Sequence, residues 1–115
     1  MNAEELRRKL KEEKGSWLLV DVRETDEVAD EPYFRDSDPA YVNIPLSILG
    51  MLPKEEIVGR LETAAGRLGK PLADIRIVMG CRSGGRSRVA QEHLSGLGIV
   101  AENLEGGRIA WGEPL

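Results

Sequence analysis

The chain has 115 residues, enough for one domain with a single core, and with 41% hydrophobic and 31% charged residues it is too apolar for a disordered segment. Twenty Asp and Glu against sixteen Lys and Arg leave a net charge of −4, which argues against a nucleic-acid partner or a membrane surface, since both favour a basic face. Cys81 is the only cysteine and His93 the only histidine, so no internal disulfide and no metal framework are expected, the thiol is free, and the cytoplasm is the expected compartment.

In chain order, Asn2-Ala3-Glu4-Glu5 has the form of an N-cap with a glutamate at N3. Leu6 and Leu10 follow four apart, predicting a helix over 3–14 that Gly15 ends. Trp17-Leu18-Leu19-Val20-Asp21-Val22 is a nearly unbroken apolar run and predicts a strand buried on both faces. Residues 30–42 carry two prolines and no periodicity, predicting a loop long enough to be functional. Asn43-Ile44-Pro45-Leu46 predicts a short edge segment, where a proline costs no ladder hydrogen bond.

Pro53 followed by Ile57, Leu61, Ala65 and Leu68 predicts an amphipathic helix from about 53 to 68, closed by Gly69. Ile75 to Met79 predicts a second buried strand. Ser87 to Leu97 predicts a helix with Val89, Ala90, His93, Leu94 and Leu97 toward one side, His93 being semi-buried, and Gly98 stops it. Ile99-Val100-Ala101 predicts the start of a last strand, and Gly106-Gly107 a break before a short turn bearing Ala110 and Trp111. Strands alternating with helices predict an α/β fold, a mainly parallel sheet with helices on both faces. Ligands of such sheets collect beyond the carboxyl ends of the strands, where both Asp21-Val22-Arg23-Glu24 and the segment from Cys81 to Arg86 lie.

Cys81-Arg82-Ser83-Gly84-Gly85-Arg86-Ser87 joins a buried strand to a helix, and this grammar carries chemistry. A free cysteine of pKa ~8.5 is only about three per cent thiolate at pH 7, whereas a pKa of ~6.5 makes roughly three-quarters of it reactive. Backbone N–H groups of residues 82–86 can turn inward as an anion nest, with Gly84 and Gly85 free to adopt left-handed conformations. The start of the following helix adds partial positive charge, and Arg82 and Arg86 add whole charges suited to an oxyanion. Two glycines and two arginines within six residues would be an odd setting for an inert core cysteine.

Cys81-Arg82-Ser83-Gly84-Gly85-Arg86 resembles the active-site loop of the rhodanese family, Cys-Arg-x-Gly-x-Arg. Leu18-Leu19-Val20-Asp21-Val22-Arg23-Glu24 is similar to that family's first core strand, Asn43-Ile44-Pro45-Leu46 to its Asn-Ile-Pro-Leu segment, and Leu104-Glu105-Gly106-Gly107-Arg108-Ile109-Ala110-Trp111 to its C-terminal signature. The resemblance spans nearly the whole chain and implies one rhodanese domain over 1–115, a three-layer fold, and sulfur transfer through a Cys81 persulfide. It implies a small anionic donor such as thiosulfate, an acceptor such as cyanide, a thiol or a protein, and no cofactor. Arg82 and Arg86 are implied to bind the donor, Ser83 to Gly85 to form the cradle, and Ser87 to start the helix. Family members commonly carry Gly-His-Ile and Gly-Ala where this chain has Arg35 to Val42, and a bulkier residue where Gly80 stands, which predicts an open floor beneath the cysteine.

Two other readings remain. One is a sulfur carrier that docks a dedicated protein. The other is a phosphatase or arsenate reductase, which uses Cys-x5-Arg; here the arginine stands at Cys-x4 and Ser87 occupies the next position. Asp21, Arg23 and Glu24 are either rim groups or a strand-end cap and ion pair, and Trp111 either walls the pocket or fills the core.

Overall fold

A computed structural model describes all residues, 1–115. Four parallel strands make one sheet in the order β2-β1-β3-β4: β1 Trp17–Asp21, β2 Tyr41–Asn43, β3 Arg76–Gly80 and β4 Glu102–Asn103. Central β1 pairs Leu19 with Tyr41 on one side and Leu18 with Ile77 on the other, and every one of its residues is buried. An unbroken apolar run is what a strand covered on both faces needs.

Alternation of side chains divides the core into two layers. Leu18, Val20, Ile77 and Met79 face the helices α3 (Leu46–Leu49), α4 (Lys54–Arg67) and α5 (Gly85–Gly96), which contribute Leu49, Ile57, Leu61, Ala90 and Leu94. Trp17, Leu19 and Val78 face the other way, onto Leu6 of α1 (Ala3–Glu12) and Trp111 of α6 (Gly107–Trp111). Helix α1 is capped as its sequence predicts, with the Asn2 side chain accepting from the Glu5 N–H at 2.8 Å. Together these elements make the predicted three-layer α/β fold.

Four local expectations are corrected. The predicted loop over 30–42 is shorter, because α2 (Thr25–Asp30) precedes it on a Glu24/Glu27 capping box and Tyr41 and Val42 already belong to β2. The edge segment lies earlier than Asn43-Ile44-Pro45-Leu46: Pro45, lacking an N–H to pair, caps α3 instead of sitting in the sheet. Helix α5 begins at Gly85 and buries Ser87, Ala90 and Leu94, leaving Val89 and His93 exposed, so His93 is a solvated side chain. The last strand is Glu102–Asn103, while Val100, predicted to open it, is 88% exposed. No helix is long and apolar enough to cross a membrane.

Candidate active site

Strand β3 ends at Gly80 and α5 starts at Gly85, so residues 81–84 form a tight turn at the carboxyl edge of the sheet. Gly84 takes φ +104°, a left-handed conformation that turns its N–H inward onto the Cys81 Sγ at 3.0 Å. The Ser87 hydroxyl lies 3.2 Å from the same sulfur. Burial pushes the Cys81 thiol up, but the Ser87 hydroxyl and the N–H groups of Ser87, Gly84 and Ser83 outweigh it and hold the thiol below its ordinary value. Cys81 is 1% exposed, so the sulfur lies buried beneath these groups.

The two arginines part company. Arg82 is exposed, and its side chain has no hydrogen-bonding or ionic partner within the chain. Arg86, expected over the anion, instead places Nη1 and Nη2 on the two carboxylate oxygens of Glu27 at 2.6 and 2.7 Å. That bidentate contact holds the Glu27 carboxyl down at about 2 and ties α5 to α2. The thiol is therefore tuned chiefly by amides and a hydroxyl, with guanidinium charge secondary.

Behind the loop the floor is filled. A Cβ on Gly80 would stand 3.0 Å from Leu19 Cδ1 and 3.1 Å from the Tyr33 hydroxyl, so Tyr33 occupies the space where an open floor was predicted. The Tyr33 hydroxyl donates to the Cys81 carbonyl at 2.6 Å. Trp111, 3% exposed, stacks edge-on against Tyr33 with ring centroids 5.3 Å apart and donates its indole N–H to the Tyr33 carbonyl at 3.0 Å. It buttresses Tyr33 within the buried cluster that also holds Leu6 and Trp17. The first amides of α6 hold the loop's outer carbonyls, Arg108 N–H on Cys81 at 2.8 Å and Ile109 N–H on Arg82 at 3.0 Å.

Asp21 and Arg23 form a buried ion pair at the end of β1. Arg23 is 2% exposed and its Nη2 lies 2.8 Å from Asp21 Oδ2. Its Nη1 donates to the carbonyls of Glu27 and Glu31, and the guanidinium lies 4.8 Å from the centre of the Tyr33 ring. The Tyr41 hydroxyl donates to Asp21 Oδ2 at 2.7 Å, completing a brace between β1, β2 and α2.

Sequence reasoning missed three residues that shape this region: Tyr33, Glu27 and Asn103. Glu27 carried a readable signal, a glutamate three residues after Glu24 at a helix start. Asn103 stands directly before the Leu104 to Trp111 signature and accepts the Ser87 hydroxyl on Oδ1 at 2.5 Å. A cleft of about 880 Å³, lined by Leu10, Lys14, Phe34 and Arg67 among others, lies away from the cysteine, on the side where Gly15 and Ala40 lead into β1 and β2.

No family model matches the chain, and no curated protein does. Solved structures do. A rhodanese-like domain protein from Staphylococcus aureus superposes with a TM-score of 0.71 at 27% identity, covering 98% of this chain and 90% of its own. A rhodanese-related protein from Thermoplasma volcanium gives a TM-score of 0.68 at 30% identity, covering 99% and 93%. The human single-domain sulfurtransferase shares the fold at 24% identity, with a TM-score of 0.65 over 96% of this chain and 92% of its own.

Proposed function

Since the chain belongs to the single-domain rhodanese family, we propose that residues 1–115 form one rhodanese domain that moves a sulfane sulfur from thiosulfate or a related persulfide to cyanide or a thiol. The reading rests on one observation: the chain's only cysteine sulfur sits at the end of a central strand with a backbone N–H at 3.0 Å and a hydroxyl at 3.2 Å.

Cys81, as thiolate, attacks the outer sulfur of thiosulfate. A new S–S bond forms, the old one breaks, and sulfite leaves with the electron pair. The terminal sulfur of the resulting persulfide carries the negative charge, and the inward N–H groups of Ser83, Gly84 and Ser87 stabilise it as an oxyanion hole would. Arg82, exposed on the loop that carries the cysteine, serves the sulfonate end of the donor, while Arg86 holds the loop to α2 through Glu27. A sulfur this recessed favours a donor that presents a single terminal atom first. In the second half-reaction the acceptor attacks the terminal sulfur and the Cys81 thiolate is released. The chain has no second cysteine, so the acceptor comes from outside.

The Cys-x4-Arg spacing, with Arg86 engaged by Glu27, disfavours a phosphatase, which needs that arginine on the phosphate. Intact-mass measurement after thiosulfate treatment is expected to show one added sulfur on the wild type and none on Cys81→Ser, with sulfite released in equal amount. An unmodified wild type would overturn the reading.

A further inference from the structure

Asn103 lies beyond the reactive loop, on the short edge strand β4, and its side chain is locked from two directions. Its Nδ2 faces the Gly84 carbonyl at 3.3 Å and its Oδ1 faces the Ser87 hydroxyl at 2.5 Å. A carbonyl can only accept, so the atom turned to Gly84 must be the amide nitrogen, and the atom turned to Ser87 must be the amide oxygen. That oxygen can only accept in turn. Ser87 is fully buried and has one hydroxyl proton, yet it stands between two acceptors, Asn103 Oδ1 and Cys81 Sγ at 3.2 Å.

One proton cannot serve both. While the cysteine is a thiol there is no conflict, because the S–H donates to Ser87 Oγ and the Ser87 O–H donates to Asn103. When the sulfur becomes an anion it draws on the nearest hydroxyl as a donor, and that hydroxyl is contested by Asn103. Turning that hydroxyl to the sulfur leaves Asn103 Oδ1 without its donor, and the amide cannot rotate to compensate without setting its oxygen against the Gly84 carbonyl. In a persulfide the charge moves to the outer sulfur among the loop amides, and Ser87 can keep its bond to Asn103.

We propose that Asn103 is a positioning residue that competes with Cys81 for the Ser87 hydroxyl proton, drawing it partly away from the sulfur and so limiting, without abolishing, the support that Ser87 gives the free thiolate relative to the thiol and the persulfide. The persulfide clause rests on the sulfurtransferase reading. The competition for one proton does not, and it can be read on the bare thiol. Other charged and titratable groups around Cys81 are Arg82 and Arg86 of the loop and α5, Tyr33 after α2 and Arg108 of α6; each remains in place in the variants below.

The test is the pH dependence of iodoacetamide alkylation of Cys81, in the full chain, for the wild type, Ser87→Ala, Asn103→Ala and the double variant. Ser87→Ala removes the hydroxyl donor and is expected to raise the midpoint. Asn103→Ala frees that donor and is expected to lower the midpoint by roughly half to one pH unit, a shift that vanishes in the Ser87→Ala background. If Asn103 only props up the loop, both single variants raise the midpoint, and that result or an unchanged midpoint overturns the proposal. Should Asn103→Ala fail to fold, Asn103→Asp decides: its carboxylate holds the Ser87 proton harder, so its upward shift is expected to be larger with Ser87 present than in the Ser87→Ala background. Equal shifts in the two backgrounds sink the idea.

Discussion

Gly107 lies directly against Cys81: a Cβ built on it would stand 2.6 Å from the Cys81 carbonyl oxygen and 2.7 Å from the Arg82 carbonyl carbon and oxygen. The three atoms are backbone, so no rotamer change relieves the contact. This approach lets the amides that follow, those of Arg108 and Ile109, reach the carbonyls of the reactive loop. Gly107→Ala is therefore expected to cost more than about 3 kcal/mol in urea unfolding and to return the Cys81 alkylation midpoint toward that of an ordinary cysteine. Gly98→Ala is the control, with φ +81° but nothing within 4 Å of the added carbon. It should cost about 1 kcal/mol and leave the thiol unmoved.

Tyr33 and Gly80 are a size-matched pair. Gly80→Ala forces a methyl to 3.1 Å from the Tyr33 hydroxyl, whose hydrogen bond to the Cys81 carbonyl is 2.6 Å long. Overpacking of this kind is expected to cost about 1–3 kcal/mol. Tyr33→Phe alone should cost only about 1 kcal/mol, since the Cys81 carbonyl keeps the Arg108 N–H at 2.8 Å. Combining them removes the oxygen that the methyl strikes. The double variant should be more stable than the sum of the two losses predicts, by about 0.5 kcal/mol or more, and strict additivity in thermal melts would show that the two positions are not in contact in the way described.

Much of this arrangement was legible in the sequence where one rule dominated. Trp17 to Asp21 and Ile77 to Met79 are apolar almost without interruption and formed buried strands, and Asn2 with Glu5 marked a helix start. The thiol loop was legible because glycines, a lone cysteine and a following helix occur together. What escaped depends on contacts distant in sequence. The Arg86 charge gave no hint that Glu27, 59 residues earlier, would capture it. Gly80 suggested emptiness because the ring that fills the space belongs to Tyr33, in a segment without periodicity. Helices α2 and α3 are too short, at 6 and 4 residues, for a hydrophobic period to register.

The Glu27 and Arg86 pair sets a pH dependence with a definite sign. Its carboxyl is held at about 2 in the fold against an ordinary 4.5, principally by the Arg86 hydrogen bonds. The folded state thus favours the ionised form, so the stabilisation is complete above the ordinary value and is lost as pH falls toward about 2. Both side chains are partly exposed and screened, which limits the contribution to about 1 kcal/mol. Wild type should exceed Glu27→Gln by that amount in urea unfolding at pH 7 and converge with it as the pH is taken below the ordinary carboxylate range. A gap that persists undiminished in strong acid would mean that packing and not charge separates the two proteins. Sulfur transfer should fall in Glu27→Gln as well, because α5 and its loop lose an anchor to α2.

The Asp21 and Arg23 brace behaves differently because it is out of water. With Asp21 fully buried and Arg23 2% exposed, removing only the acid strands a guanidinium in the core. Asp21→Ala is expected to cost about 3–5 kcal/mol, most of it the desolvated charge left behind. Replacing Arg23 by Met in the same chain removes that charge, so Asp21→Ala/Arg23→Met should recover part of the loss even though it deletes more side chain. The recovery is incomplete, since the Glu31 carbonyl at 2.7 Å and the Tyr41 hydroxyl at 2.7 Å lose their partners. In whatever fraction of each variant folds, the alkylation midpoint of Cys81 should match the wild type, because the brace supports β1, β2 and α2 without touching the sulfur. A midpoint that moves with Arg23 while stability is recovered would place that guanidinium in the field of the thiol, and the division drawn between frame and reacting group would be wrong.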